Sequence, residues 1–168
     1  FQRGALVHRL LQFLPNIHYK DWAIATKRFL SRKSIGLTDH ERIDIAESVI
    51  GILEDTQFAE LFSPQSKSEV ALIGKVEMKT GSQIISGQVD RLVVCNDEVL
   101  VVDYKTLRLP PTAEDDIPVA YVRQMAAYRA LLQAIWAGRS VRCALLWTEG
   151  PCLMWLNDEQ LDSYLAGP

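Results

Sequence analysis

Along the first third of the chain the apolar residues fall three and four positions apart. Leu6, Leu10, Leu11 and Leu14 trace one helical stripe that runs up to Pro15. A second helix is predicted over about residues 21–32, with a break over 31–36. Thr38-Asp39-His40-Glu41 has the form of a capping box, and Ile43, Ile45, Ala46, Val49, Ile50 and Leu53 follow it at helical spacing. A short helix over 58–62 stops at Ser63-Pro64. The period then changes. Residues 69–79, 83–95 and 99–105 are β-rich and are punctuated by Gly81-Ser82 and Asn96-Asp97, which predicts a strand meander. After a proline-rich loop over 109–118, residues 120–136 read as a strong helix stopped by Gly138. A strand over 141–148, a turn at Glu149-Gly150-Pro151, a short strand over 152–156 and a helix capped at Asn157 or Asp158 complete the chain. Helices, meander, helix, strand, strand, helix: this order predicts an α/β fold, a mixed central sheet flanked by helices with a helical N-terminal segment.

Composition narrows this picture without redirecting it. At 168 residues, 48% hydrophobic and 23% charged, the chain is expected to be one soluble globular domain spanning 1–168. Arg129 interrupts the richest apolar stretch, AAYRALLQAIWA, so no run reaches the roughly 20 residues that cross a bilayer, and no signal peptide is evident. Because the sequence opens on Phe1 and closes on Gly167-Pro168, it is expected to be a piece of a longer protein with further domains upstream. Cys95, Cys143 and Cys152 lack metal-ligand spacing and are expected to be free thiols in a reducing cytoplasm. The net charge of −3 is low for an autonomous nucleic-acid binder, so any such role needs local positive groups, a metal or a neighbouring domain.

Charge placement on the strands carries the chemistry. With Asn96-Asp97 as a two-residue hairpin loop, Cys95 pairs with Glu98. Counting outward puts Asp90 opposite Asp103 and Gln88 opposite Lys105, so Asp90, Asp103 and Lys105 share one face. Paired carboxylates among valines repel, and burial sharpens the repulsion. A divalent cation between them, Mg²⁺ or Mn²⁺, resolves the conflict, and the lysine beside it can reach a water or a phosphate oxygen. The bland alternative is a lysine–aspartate ion pair at a strand end with one stray acid.

The segment "GQVDRLVV…VLVVDYKT" resembles the core motif of the PD-(D/E)xK nucleases, a restriction-endonuclease-like fold, and within them the RecB-like branch at the end of RecB and AddA helicase–nuclease subunits. "GALVHRLL", with Gly4 and His8, is similar to that branch's G-x-x-x-H helix. "SEVAL" supplies Glu69 at its acidic position, with Glu77 as a competing acid, and "QMAAY" supplies Gln124 and Tyr128 of its Q-x-x-x-Y helix. RQMAAYRALL through VRCALLWTEGP looks particularly like the AddA type. The resemblance implies a Mg²⁺-dependent deoxyribonuclease, an exonuclease of DNA repair and recombination. Its metal would be held by His8, Asp90, Asp103 and the Tyr104 carbonyl. Lys105 and Glu69 would join the two acids in catalysis, and Gln124 and Tyr128 would position DNA. It further implies single strands fed by a helicase that alone would use ATP, an AddB-type partner subunit, and a bacterial cytoplasmic, nucleoid-associated location. The cysteine spacing of an iron–sulfur staple is missing, so no cluster is expected. Arg91 is expected to face away from the site, and His18 and His40 to lie on the surface. The rival is a non-catalytic docking domain on the same fold; the presence of His8, Asp90, Asp103 and Lys105 together speaks against it.

Overall fold

The computed structural model of the chain describes residues 2–32, 35–107 and 109–167. Three helices come first: α1 (Gln2–Phe13), α2 (Trp22–Leu30) and α3 (Asp39–Glu54). The capping box forms as the sequence predicts, with Glu41 N–H donating to Thr38 Oγ1 at 3.3 Å and Thr38 N–H donating to Glu41 Oε2 at 2.8 Å. The predicted break over 31–36 includes Lys33 and Ser34, which lie outside the described residues, as do Phe1 and Pro168 at the chain ends. The segment expected as a short helix over 58–62 is wound as a 3₁₀ helix, Thr56–Phe62, capped by Asp55.

Five strands follow, β1 (Ser66–Met78), β2 (Gly81–Val94), β3 (Glu98–Lys105), β4 (Ser140–Trp147) and β5 (Cys152–Trp155), in the spatial order β1-β2-β3-β4-β5. Between β3 and β4 lies α4 (Val119–Ile135), and α5 (Asp158–Asp162) closes the chain with Asn157 as its cap. Neighbouring strands pair antiparallel except β3 with β4, and that single parallel step is the one bridged by a helix, α4. β1 begins at Ser66, three residues before the predicted start, because polar Ser66, Lys67 and Ser68 find ladder partners in Val93, Leu92 and Arg91.

Both faces of the central strand are covered, and β3 is buried along its length apart from its two ends. Val99 and Val101 face one core with Met125 and Leu132 of α4 and Trp147 of β4. Val102 and Tyr104 face the other with Leu10 and Leu11 of α1 and Ile45 and Ile52 of α3. Among the described residues no helix is long and apolar enough to cross a membrane.

One irregularity of the sheet shapes the carboxyl end of β3. β1 and β2 pair from Ser66↔Val93 down to Met78↔Gly81, whereas β2 and β3 pair only from Val94↔Val99 to Arg91↔Val102. Below that point the β1–β2 ribbon leaves β3, and the carboxyl end of β3 opens into the gap.

Candidate active site

The predicted hairpin is present: Cys95 N–H donates to the Glu98 carbonyl at 2.8 Å, and the register from there matches the sequence count. Hydrogen-bonded pairs alternate in an antiparallel ladder, so Val89 should come next opposite Tyr104. That pair does not form. Instead the Asp90 carboxylate takes the vacated donor, with Tyr104 N–H donating to Oδ2 at 2.6 Å. The carbonyl and N–H of one strand residue point to the same edge, so the Tyr104 carbonyl also looks toward Asp90. The ladder thus ends at Arg91↔Val102, one pair short of the expected opposition of Asp90 and Asp103.

His8 arrives from the other layer. Gly4 lies one turn earlier on α1, and a Cβ there would come within 2.5 Å of Thr106 Oγ1, just past the end of β3. The missing side chain lets α1 close on that strand end, and His8 Nδ1 then sits 3.3 Å from Asp90 Oδ1. Its ring meets Tyr104 edge-on, centroids 5.3 Å apart.

Lys105 is held from three sides. Its ammonium lies 2.5 Å from Asp103 Oδ2, donates to Gln124 Oε1 at 3.3 Å, and stands 4.0 Å above the centre of the Tyr121 ring. Gln124 in turn donates to the Tyr128 hydroxyl at 3.1 Å, which donates to the Gln88 carbonyl at 3.4 Å. Gly87 makes that last approach feasible, because a Cβ on it would collide with the Tyr128 hydroxyl. Tyr121 is a member of the cluster that the sequence motifs do not include. Its spacing, three before Gln124 and seven before Tyr128, is the signal that could have found it.

Glu69 falls between the pairs Ser68↔Arg91 and Val70↔Val89, beside Asp90 on the neighbouring strand. It is the one described non-glycine residue with positive φ, 55°, and its carbonyl accepts from Gln88 Nε2 at 3.0 Å. Glu77, the competing acid, is exposed and engaged with Lys75 at 3.1 Å and Ser82 at 3.0 Å. Arg91 faces the other core as expected; it donates to the Tyr104 hydroxyl at 3.0 Å and to the Leu11 carbonyl, tying α1 to β3. His18 and His40 are exposed, and the three cysteines are free.

Electrostatics mark the cluster as crowded with negative charge. Burial pushes the Asp103 carboxyl up, Asp90 pushes it further, and Lys105 and His8 pull back without restoring it. Burial and then Asp90 likewise raise Glu69, against His8, Arg9 and Arg91. For His8 burial acts downward, but the hydrogen bond and charge of Asp90, with Asp103 and Glu69, leave it raised. Among the described residues no three His, Cys, Asp or Glu side chains converge as a ready metal cage; the acids are paired off, Asp90 with His8 and Asp103 with Lys105. The donor set nonetheless fits a hard divalent cation. Carboxylate oxygens and an imidazole surround repelling charge that such an ion would relieve.

A five-stranded mixed sheet with helices on both faces, carrying an aspartate and a lysine at the end of its central strand, is a restriction-endonuclease-like fold. The chain belongs to the PD-(D/E)XK nuclease superfamily, whose profile it matches over residues 1–152. Among solved structures it is similar to that described as "Crystal structure of SSO0001", at 14% identity and a TM-score of 0.37. The match covers 90% of this chain and 65% of that one, so the chain spans less than two thirds of its length. No curated protein matches the sequence.

Proposed function

We propose that the chain is a Mg²⁺-dependent deoxyribonuclease domain, working as one unit over residues 1–168, that hydrolyses DNA single strands supplied by an attached helicase. The AddA-type resemblance of the QMAAY helix and the strand after it supports a place in double-strand-break processing, beside an AddB-type subunit in a bacterial cytoplasm. The observation that carries the reading is the meeting of His8, Asp90, Asp103 and Lys105 where β2 leaves β3.

His8, Asp90, Asp103 and the Tyr104 carbonyl are the groups that would hold the cation. When bound it would supply Lewis-acid polarisation of the scissile phosphate. The protein's own groups do the rest. Lys105, fixed by Asp103, Gln124 and the Tyr121 ring, presents N–H donors to an attacking water and to phosphate oxygens as negative charge grows on them. Gln124 and Tyr128 brace that lysine against the β1–β2 ribbon, and from beside it they would position the DNA. Glu69 adds a third carboxylate beside Asp90, and its neighbour Gln88 holds its backbone in place. With net charge −3 the chain alone should bind DNA weakly, and tethering to a helicase would raise the local strand concentration.

Calorimetric titration with Mg²⁺ and Mn²⁺ tests the site. Binding by the wild type that vanishes in Asp103→Ala and persists in Gln124→Ala is the expected result. Absence of binding at millimolar metal would favour the docking-domain reading instead.

A further inference from the structure

An open groove of about 700 Å³ is lined by residues of α1, of α2 and of the segment between them, together with Ser68 of β1. Arg9, Arg28 and Arg32 line it together with Phe13 and Phe29, and Asp21 is the one acid among the lining residues. That excess of positive charge stands out in a chain whose net charge is −3. Arg28 and Arg32 are exposed and four residues apart, and neither forms an ion pair among the described residues. Arg9 donates to Gln12 Oε1 at 2.9 Å, a neutral partner, and forms no ion pair among the described residues. The two phenylalanine rings meet edge to face at 5.7 Å, and the Arg32 guanidinium lies over Phe29 at 5.2 Å. Both rings are half-buried.

Two of the residues that line the groove, Arg9 and Ser68, are chain neighbours of the cluster residues His8 and Glu69. Arg9 follows His8 on α1, and its charge acts on Glu69. Ser68, which also lines the groove, directly precedes Glu69 and donates to the Gln12 carbonyl at 3.5 Å. Arginines without carboxylate partners beside aromatic rings suit a phosphate backbone whose unpaired bases can stack. A paired duplex keeps its base faces hidden and cannot use the rings.

We propose that this groove is the track of a single nucleic-acid strand, with its phosphates on Arg9, Arg28 and Arg32 and a base against the Phe13–Phe29–Arg32 platform, leading to the scissile phosphate beside Glu69. The inference rests on the nuclease reading for its direction, and its test separates the two. Binding of a fluorescein-labelled oligo-dT strand to the whole chain would be followed by anisotropy in metal-free buffer, for the wild type and for Arg28→Gln/Arg32→Gln. The double variant should bind about tenfold more weakly, with a salt slope shallower by about 1.4, roughly 0.7 for each phosphate no longer neutralised. An abasic strand of equal length and charge should bind the wild type about tenfold more weakly than oligo-dT, because base stacking is removed. In parallel, Mg²⁺-dependent hydrolysis of thymidine 5′-(p-nitrophenyl phosphate), too short to reach from the site into the groove, should be unchanged in the double variant and abolished in Asp103→Asn. Wild-type affinity and salt slope in the double variant, or equal binding of the abasic strand, would overturn the groove assignment whatever the ester shows. No ester hydrolysis by the wild type would count against the nuclease reading, leaving the binding result to decide the groove.

Discussion

Asp103 is buried beside Lys105, and its neighbours pull against one another. Burial and the neighbouring Asp90 hold its carboxyl above the ordinary value of 3.8, so the folded state favours the protonated form more than the unfolded chain does. A raised folded-state pKa contributes stability below the unfolded value and loses it as pH rises; at neutral pH the ionised Asp103 destabilises the metal-free fold. Asp103→Asn should therefore raise the metal-free unfolding temperature at pH 7, by about 0.5–2 kcal/mol of stability, as scanning calorimetry would show. Mg²⁺ should then stabilise the wild type and leave the variant unmoved. A lower unfolding temperature in the variant would mean that the Lys105 ion pair outweighs burial. Gly87 presents the opposite case, a residue whose value is an absence. Gly87→Ala should cost about 1–3 kcal/mol in urea denaturation, because the new methyl meets the Tyr128 hydroxyl. Adding Tyr128→Phe should recover part of that loss, whereas full additivity of the two changes would contradict the close approach.

At the scale of elements, the site is made by a ladder that stops. β2 continues with β1 after it has left β3, and the Asp90 carboxylate takes the Tyr104 N–H that Val89 would otherwise have met. The hairpin register from Val94↔Val99 to Arg91↔Val102 was legible in the sequence, because period-two alternation and a two-residue Asn96-Asp97 loop fix it. The helix boundaries set by Thr38 and Asn157 were legible for the same kind of reason, since a cap is a local hydrogen bond. The parting of the strands was not. It goes with close approaches between residues far apart in the chain, Gly4 to Thr106 and Gly87 to Tyr128, which no local pattern announces. Arg91 illustrates the difference. Alternation correctly turns it away from Asp90, but only the packed structure reveals that it ties the Leu11 carbonyl of α1 to the Tyr104 hydroxyl. The positive φ of Glu69 has no sequence signal either, since glutamate is not a residue that favours it.

For the whole molecule, His8, Glu69 and Asp103 all have raised pKa values, and all three contribute to pH dependence with the same sign. Each stabilises the fold below its unfolded value and ceases to do so as pH climbs through its folded one. The His8 contribution starts to fade above its ordinary value of 6.5, so the metal-free unfolding temperature should fall as pH rises past that point. Saturating Mg²⁺ should flatten that fall, because ligation requires deprotonated groups and binding displaces their protons. Calorimetry in two buffers of different ionisation enthalpy would detect the released protons; identical heats would contradict ligation by His8 or Asp103. These outcomes bear on the site piece by piece, while the central claim is that the assembled cluster cuts DNA. The most direct test is single-turnover cleavage of a 5′-labelled DNA single strand by the whole chain with Mg²⁺, wild type beside Lys105→Ala. The wild type should cut, and the variant should be slower by about a hundredfold or more with its metal binding intact. Cleavage at equal rates by both, or none by either at millimolar Mg²⁺ and a saturating strand concentration, would contradict the account.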